Sequence, residues 1–348
     1  MKVSKVSEER FLDYKDVFII PQFSEVTSRS DVDTSITLEQ KSTNSQGLTV
    51  KVPVMSANMD SCTDGKMALA MYKAGAMGAI HRFMSIEQNL TEYMMVSHES
   101  GKCFVSVGVN SESQERTMAL YAHGARYFIV DIAHGHSRMM QDMLVWMRGH
   151  LSPESYIVAG NVATEEGAAD LFRWGADAVK IGIGPGAVCT TKNVTGVTVP
   201  QWSAVFKTCS VTARERYSMI ASNRTNNRPI LIADGGIQEI GDIAKALGAG
   251  ADLVMAGRLF ASCLEAPGAR VNGKKVYRGM ASKDAMLTIK DASLLPTPEG
   301  VSTLLDITDD TANSVVTHIK GGLQSAMSYS NARNLKTFQE NVYFGIRG

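Results

Sequence analysis

Three times along the chain a glycine–alanine pair precedes a short apolar run that closes on an aspartate or a glycine. Gly124-Ala125 precedes 127–130 and Asp131, Gly175-Ala176-Asp177 precedes 178–181 and Gly182, and Gly250-Ala251-Asp252 precedes 253–256 and Gly257. Each glycine sits where a helix would stop, because glycine takes the left-handed conformation past a helix C-terminus without a Cβ penalty. Each run is continuous rather than alternating, the pattern of a strand covered on both faces. The stretches before the joints read as amphipathic helices. Thr164 is a candidate N-cap with Glu165 and Glu166 in the first turn, and Ala168, Leu171 and Phe172 share one face. Ile240, Ile243, Ala244 and Leu247 do the same before Gly250.

Further strands are expected at 53–56, 77–80, 104–109, 156–159 and 230–233, which makes eight between residues 53 and 257. Eight strands, most of them separated by helical patterns, predict an α/β fold, a (β/α)8 TIM barrel, over the open doubly wound sheet. No linker or low-complexity stretch divides the 348 residues, so a single domain over 1–348 is expected, and 44% hydrophobic residues suffice for its core. Lys and Arg number 35, as do Asp and Glu, so the basic excess of a nucleic-acid binder is missing. No apolar run approaches the roughly 18–20 residues of a membrane span. The N-terminal MKVSKVSEERFLDY has no apolar signal region. The five cysteines are odd in number and form no CxxC pair, which argues against disulfides and zinc. A cytoplasmic protein without nucleic-acid or membrane partners is expected.

In such a barrel ligands bind at the C-terminal ends of the strands. There the sequence places 56–60, His81-Arg82, Asp131, 133–136, Gly160-Asn161, 182–191, Asp234-Gly235-Gly236 and Gly257-Arg258. The last two follow strands 7 and 8, where barrels build phosphate sites from glycine N–H groups; tight turns with a surface arginine are the plain alternative. Residues 182–187 match GxGxxA, but a dinucleotide fingerprint needs a helix directly after it, and 188–200 reads as a loop. That loop can instead turn carbonyls toward a monovalent cation. Cys189 is either a buried small hydrophobe or a nucleophile, the latter favoured by its glycine-rich loop and by Thr190 and Thr191 beside it. His134 and His136 lack further ligands for a metal. Glu299 by itself reads as a solvated loop residue.

The loop GIGPGAVCTTKNVTGVTVPQ (182–201), with DYKDVFIIP, VPVMSANMD, AGNVAT, IADGG and YRGMAS, resembles the IMP dehydrogenase/GMP reductase family over about residues 10 to 346. The resemblance implies a TIM barrel that binds a purine nucleoside monophosphate (GMP or IMP) and a nicotinamide dinucleotide, usually as a homotetramer. Two features point to the reductase branch, NADPH-dependent reductive deamination of GMP. His81 to Phe104 leaves no room for the CBS modules of dehydrogenases, and ASKDAMLTIKDASLLPTP (281–298) lacks the Arg-Tyr dyad that activates water. Others lean toward dehydrogenases: DIAHGHS (131–137), EAPG (265–268) and His81-Arg82-Phe83 in place of HKH. Leu295-Pro296 replaces the reductase Tyr-Arg, and Ala187 replaces the family's phosphate-binding serine, with Arg258 expected to compensate. The alternatives are an IMP dehydrogenase without CBS modules (IMP and NAD to XMP) and a non-catalytic purine-nucleotide-binding barrel.

By the same resemblance Cys189 attacks the purine to give a thioimidate, and Thr191 and Glu299 handle protons. Asp234 holds the ribose, and Gly235, Gly236, Gly257 and Arg258 hold the phosphate. Gly279, Met280, Ala281 and Gly300 meet the base, and a flap region is expected at about 281–312. Arg82, Asp131, Ile132, Ala133, Ile183 and Gly184 lie at the nicotinamide. Ser28, Arg29, Ser325, Ala326, Met327 and Ser328 match dinucleotide contacts, some of them from a neighbouring subunit. The carbonyls of Gly184, Gly186 and Cys189 match a potassium site.

Overall fold

Gly124, Gly175 and Gly250 take φ values of +99°, +121° and +111°, so all three joints use the backbone freedom that only glycine has at no cost. The computed structural model describes residues 7, 9–39, 47–221, 229–287 and 297–348. Strands β1 (Val54–Ser56), β2 (Met77–Ile80), β3 (Phe104–Val107), β4 (Tyr127–Asp131), β5 (Tyr156–Val162), β6 (Ala178–Ile181), β7 (Ile230–Asp234) and β8 (Leu253–Ala256) form a closed barrel. All pairings are parallel, and β8 returns to β1. The fold is the expected (β/α)8 barrel. Strand bounds differ from the sequence reading by a few residues. β3 ends before 108, and β5 runs on through Gly160 and Asn161 to Val162, with a register shift against β6.

Helices α1 (Gly65–Lys73), α2 (Ile86–His98), α3 (Ser111–Ala122), α4 (Arg138–His150), α5 (Glu165–Trp174), α6 (Gln201–Ala221), α7 (Ile240–Gly248) and α8 (Ala312–Tyr329) ring the barrel, and α8 packs against α1 to close the ring. Side chains start them. Thr164 accepts the Gly167 N–H at 3.2 Å, and Asp64, Asn110 and Ser137 cap α1, α3 and α4 in the same way. Ala168, Leu171 and Phe172 of α5 are buried, as the helical spacing requires. Fully buried side chains such as Phe104, Phe128, Phe172 and Met67 each contribute roughly 1.5–3 kcal/mol by leaving water.

Two additions matter for the site. A five-residue helix, Thr191–Thr195, stands inside the stretch that reads as a loop. Its β-branched residues have low helix propensity, but the Asn193 and Val194 N–H groups both bond the Thr190 carbonyl, and Gly196 at φ +73° ends the turn. Between β8 and α8 lies an antiparallel sheet of Arg270–Val271, Lys274–Arg278 and Ser302–Asp306. The expected flap falls partly here, and its residues 288–296, with Leu295-Pro296, lie outside the described residues. Among the described residues no helix is long and apolar enough to cross a membrane.

Candidate active site

The strand ends open into a cavity of about 920 Å³. Its floor is ionic. Lys180, on the third position of β6, is 1% exposed, and a Cβ at Gly160 of β5 would come within 2.6 Å of the Lys180 Cβ. The lysine stem thus runs through space that only glycine leaves open. Its Nζ donates to Asp131 Oδ1 at 2.9 Å and to Asp234 Oδ2 at 2.8 Å. Asn58 Nδ2 donates to the second Asp131 oxygen at 2.8 Å. Asn161 Nδ2 donates to Asp234 Oδ2 at 2.9 Å and to the Gly182 carbonyl at 2.7 Å. Burial pushes the Asp131 carboxyl up, but the adjoining Lys180 ammonium outweighs it and the net shift is downward. Burial likewise acts to lower Lys180, and the two carboxylates reverse the sign and raise it.

One wall carries the thiol. Cys189 is half-buried, and its Sγ donates to Thr191 Oγ1 at 3.2 Å. The segment 299–301 is stitched to it by backbone alone. The Thr190 N–H bonds the Glu299 carbonyl at 2.8 Å, and the Val301 N–H bonds the Val188 carbonyl at 3.0 Å. The other edge of the segment meets 279–282, with Glu299 N–H to Ala281 carbonyl at 3.0 Å and Gly279 N–H to Val301 carbonyl at 3.1 Å. Cys189, Thr191 and Glu299 all line the cavity, as do Gly279, Met280 and Ala281. Gly300 is buried inside the stitch.

Asp234, Gly235 and Gly257 line the side next to the thiol. Gly235 and Gly236 have φ of +88° and +78°. A Cβ at Gly257 would sit 2.4 Å from the Tyr277 hydroxyl, so this glycine admits the tyrosine to the rim. Tyr277 is 4% exposed, lines the cavity, and burial raises its pKa. Gly236 packs behind, toward Gln201 and Pro185. Arg258 does not reach this cavity; it borders a separate depression of about 290 Å³ with Gln238, Asp310 and His318.

The far side is lined by Arg82, Asp131, Ile132, Ala133, Ile183 and Gly184. The Arg82 guanidinium lies 4.7 Å from the Phe83 ring centre, and its buried Nε has no hydrogen-bond partner among the described residues. His81 is held neutral: burial lowers its pKa to about 4, and Nδ1 accepts the Phe83 N–H at 3.2 Å. Gly186 also lines the cavity, and its carbonyl accepts the Cys189 N–H at 3.0 Å, closing a turn. Ser28, Arg29 and Ser325 to Ser328 do not line it. Arg29 Nη2 donates to Tyr329 Oη at 3.1 Å, and Ser325, Ala326, Met327 and Ser328 belong to α8.

Sequence reasoning missed Lys180 and Tyr277, and it placed Asn58 and Asn161 at the strand ends without giving them a role. A lone lysine within the apolar run AVKI and a tyrosine at the head of YRGMAS were the available signals.

A family model described as IMP dehydrogenase / GMP reductase domain matches residues 11–347. The chain belongs to this family. Two curated relatives are similar over nearly their whole length. The GMP reductase of Paracidovorax citrulli is 35% identical over 345 residues, covering 97% of this chain and 96% of the relative. That of Streptococcus pyogenes is 36% identical over 341 residues, covering 96% and 95%. Among solved structures, a cysteine-to-alanine variant of GMP reductase from Trypanosoma brucei, in complex with guanosine 5′-monophosphate, matches with a TM-score of 0.84 at 27% identity, over 98% of this chain and 96% of that one. The family's barrel is therefore the frame in which the thiol, the stitched segment and the ionic floor sit.

Proposed function

We propose that the chain is an oxidoreductase that converts GMP, NADPH and two protons into IMP, NADP and ammonium. The observation that carries this reading is the Cys189 thiol on Thr191 with the Glu299 segment bonded beside it, at a cavity in a family barrel. The Cys189 thiolate forms a bond to C2 of the purine, and the exocyclic amine leaves as ammonia, which gives a thioimidate. The amine needs a proton to leave, and Glu299 with Thr191 supplies it. The bound NADPH provides a hydride at C2, after which the C–S bond breaks and the thiolate returns. No water attack is required, in keeping with 281–298, which contains neither Arg nor Tyr.

Asp234 is assigned to the ribose hydroxyls. Gly235, Gly236, Gly257 and the Arg258 N–H, with Tyr277, are assigned to the phosphate. The Arg258 side chain would have to turn in from its own depression to replace the hydroxyl absent at Ala187. Gly279, Met280, Ala281 and Gly300 are assigned to the base. Arg82, Asp131, Ile132, Ala133, Ile183 and Gly184 are assigned to the nicotinamide, and the unpartnered Arg82 Nε supports an acceptor arriving there. Ser28, Arg29, Ser325 and Ala326 lie outside the cavity and serve a neighbouring copy in a homotetramer, while Met327 and Ser328 are buried on α8 and support that face from within. Three neutral carbonyls, of Gly184, Gly186 and Cys189, suit a potassium ion, which would brace the cysteine loop. The catalytic unit is the single domain 1–348, working in the cytoplasm.

The test is absorbance at the nicotinamide band in the presence of potassium, with GMP and NADPH in one cuvette and IMP and NAD in the other. A fall in the first with ammonia release is expected. A rise in the second alone would mean a dehydrogenase, and tight GMP or IMP binding without turnover of either would mean a non-catalytic barrel.

A further inference from the structure

The reaction as written gives no task to the Lys180 ammonium, buried between two carboxylates of the site. Asp131 ends β4 and Asp234 ends β7, and β5 and β6 stand between them. Their carboxylates still meet, because one nitrogen holds both at 2.9 and 2.8 Å, so the bonded oxygens are at most about 6 Å apart. Two carboxylates that close repel, and without a shared cation one would protonate or both would turn away. Each has one further donor, Asn58 from beyond β1 and Asn161 from β5, and these are neutral amides. The other ionisable groups facing the trio are Arg82 beside Asp131 and the Tyr14 and Tyr277 hydroxyls toward Asp234, with the Met255 thioether 3.9 Å from Nζ. Lys180 is thus the one cation, among the described residues, bonded to both carboxylates.

We propose that Lys180 is a positioning residue that locks the ribose-side carboxylate of Asp234 and the nicotinamide-side carboxylate of Asp131 into one frame, setting the nucleotide and the hydride donor in register. This rests on the assignment of Asp234 and Asp131 given above. A lysine that only filled the barrel would act through stability alone. A lysine that sets register acts on both KM for GMP and kcat, since misplacement by about 1 Å costs on the order of 100-fold in rate.

Lys180→Met keeps the stem and removes the charge. The expected result is a folded protein that binds GMP at least about tenfold more weakly and turns over on the order of 100-fold more slowly, with Lys180→Arg recovering much of both losses. The pH profile of kcat for Lys180→Met is also expected to gain a carboxyl step that wild type lacks near neutrality. A folded Lys180→Met within about threefold of wild type in both quantities overturns the proposal, as does a folded Lys180→Arg no better than Lys180→Met. Should Lys180→Met not fold, Asp131→Asn is compared with the double variant Asp131→Asn/Lys180→Met, which keeps the net charge that wild type has at the trio. A higher KM for GMP in the double variant supports the proposal, because Asp234 then loses its clamp, and an equal KM overturns it. Calorimetric GMP affinity is read alongside. If wild type binds GMP but does not reduce it, the reductase reading fails, while the effect of Lys180 on Asp234 is still decided by the affinities.

Discussion

Cys189 is the residue on which the proposed chemistry turns. Its sulfur is half-buried at the cavity and bonded to the Thr191 hydroxyl, whereas Cys62, Cys103 and Cys263 are buried and do not line the cavity, with their thiols pushed up by burial to about 11, about 12 and about 12. Cys189→Ala is expected to abolish turnover, by 1,000-fold or more on the order-of-magnitude scale of lost covalent catalysis, while GMP affinity by calorimetry stays within about threefold. Residual turnover near wild type would remove the covalent step. Glu299→Gln keeps the shape and the backbone stitch but loses the titratable proton. Its expected effect is a fall of roughly 100-fold or more in ammonia release, with the hydride step, read in reverse from IMP and NADP as formation of NADPH and the thioimidate, less affected. Unaltered ammonia release would take Glu299 out of the mechanism. Cys189 stood out in the sequence because its loop did, whereas Glu299 reads as a solvated loop residue by itself and stood out only through the family resemblance. Lys180 did not, because a lysine in AVKI leaves its aim open until the strand register and the missing Cβ at Gly160 are known.

At the scale of elements, the glycine joints carry the fold. Gly175 at φ +121° ends α5, and a Cβ there would lie 2.8 Å from Arg148 Cγ. Arg148 also donates to the Gly175 carbonyl at 2.7 Å and to Asp177, tying α4 to the entry of β6. Gly175→Ala is therefore expected to destabilise the protein by roughly 1–3 kcal/mol. Gly149, inside α4 with open space around its Cβ position, should accept alanine without loss or with a gain of roughly 0.5–1 kcal/mol. Urea midpoints of the two variants check this, and equal midpoints would mean the joint bears no strain. All eight strands were legible, since each run is short, apolar and announced by its neighbours. The helix Thr191–Thr195 was not, because its composition favours extended backbone and it is the bonds to the Thr190 and Lys192 carbonyls that fold it. The stitch between 188–190 and 299–301 was not either, because no local pattern links segments so far apart in the chain.

For the molecule as a whole, equal numbers of acidic and basic residues conceal an uneven placement of protons. Burial raises the thiols of Cys62, Cys103 and Cys263 and the phenols of Tyr14, Tyr156 and Tyr277. All six are neutral when protonated, so the unfolded chain gives up these protons first, thiols from about pH 8.5 and phenols from about pH 10. Their contribution is complete below the unfolded values and is lost as pH rises toward the folded ones. The urea midpoint is expected to fall steadily between about pH 8 and pH 10.5, faster than a single titrating group would allow. A level or rising midpoint would show that these groups titrate in the fold as they do in solution.

The backbone stitch has an evolutionary consequence. Because amides rather than side chains join the thiol loop to the segment bearing Glu299, mutation can rewrite most of the side chains there and leave the join standing. Only Gly279 and Gly300 are constrained by closeness, since a Cβ would meet the Val188 carbonyl at 2.9 Å and the Ser282 nitrogen at 3.0 Å. The proton donor and the nucleophile are then separately heritable parts. A lineage can trade the insertion between β8 and α8, and with it the fate of the proposed covalent intermediate, without disturbing the barrel.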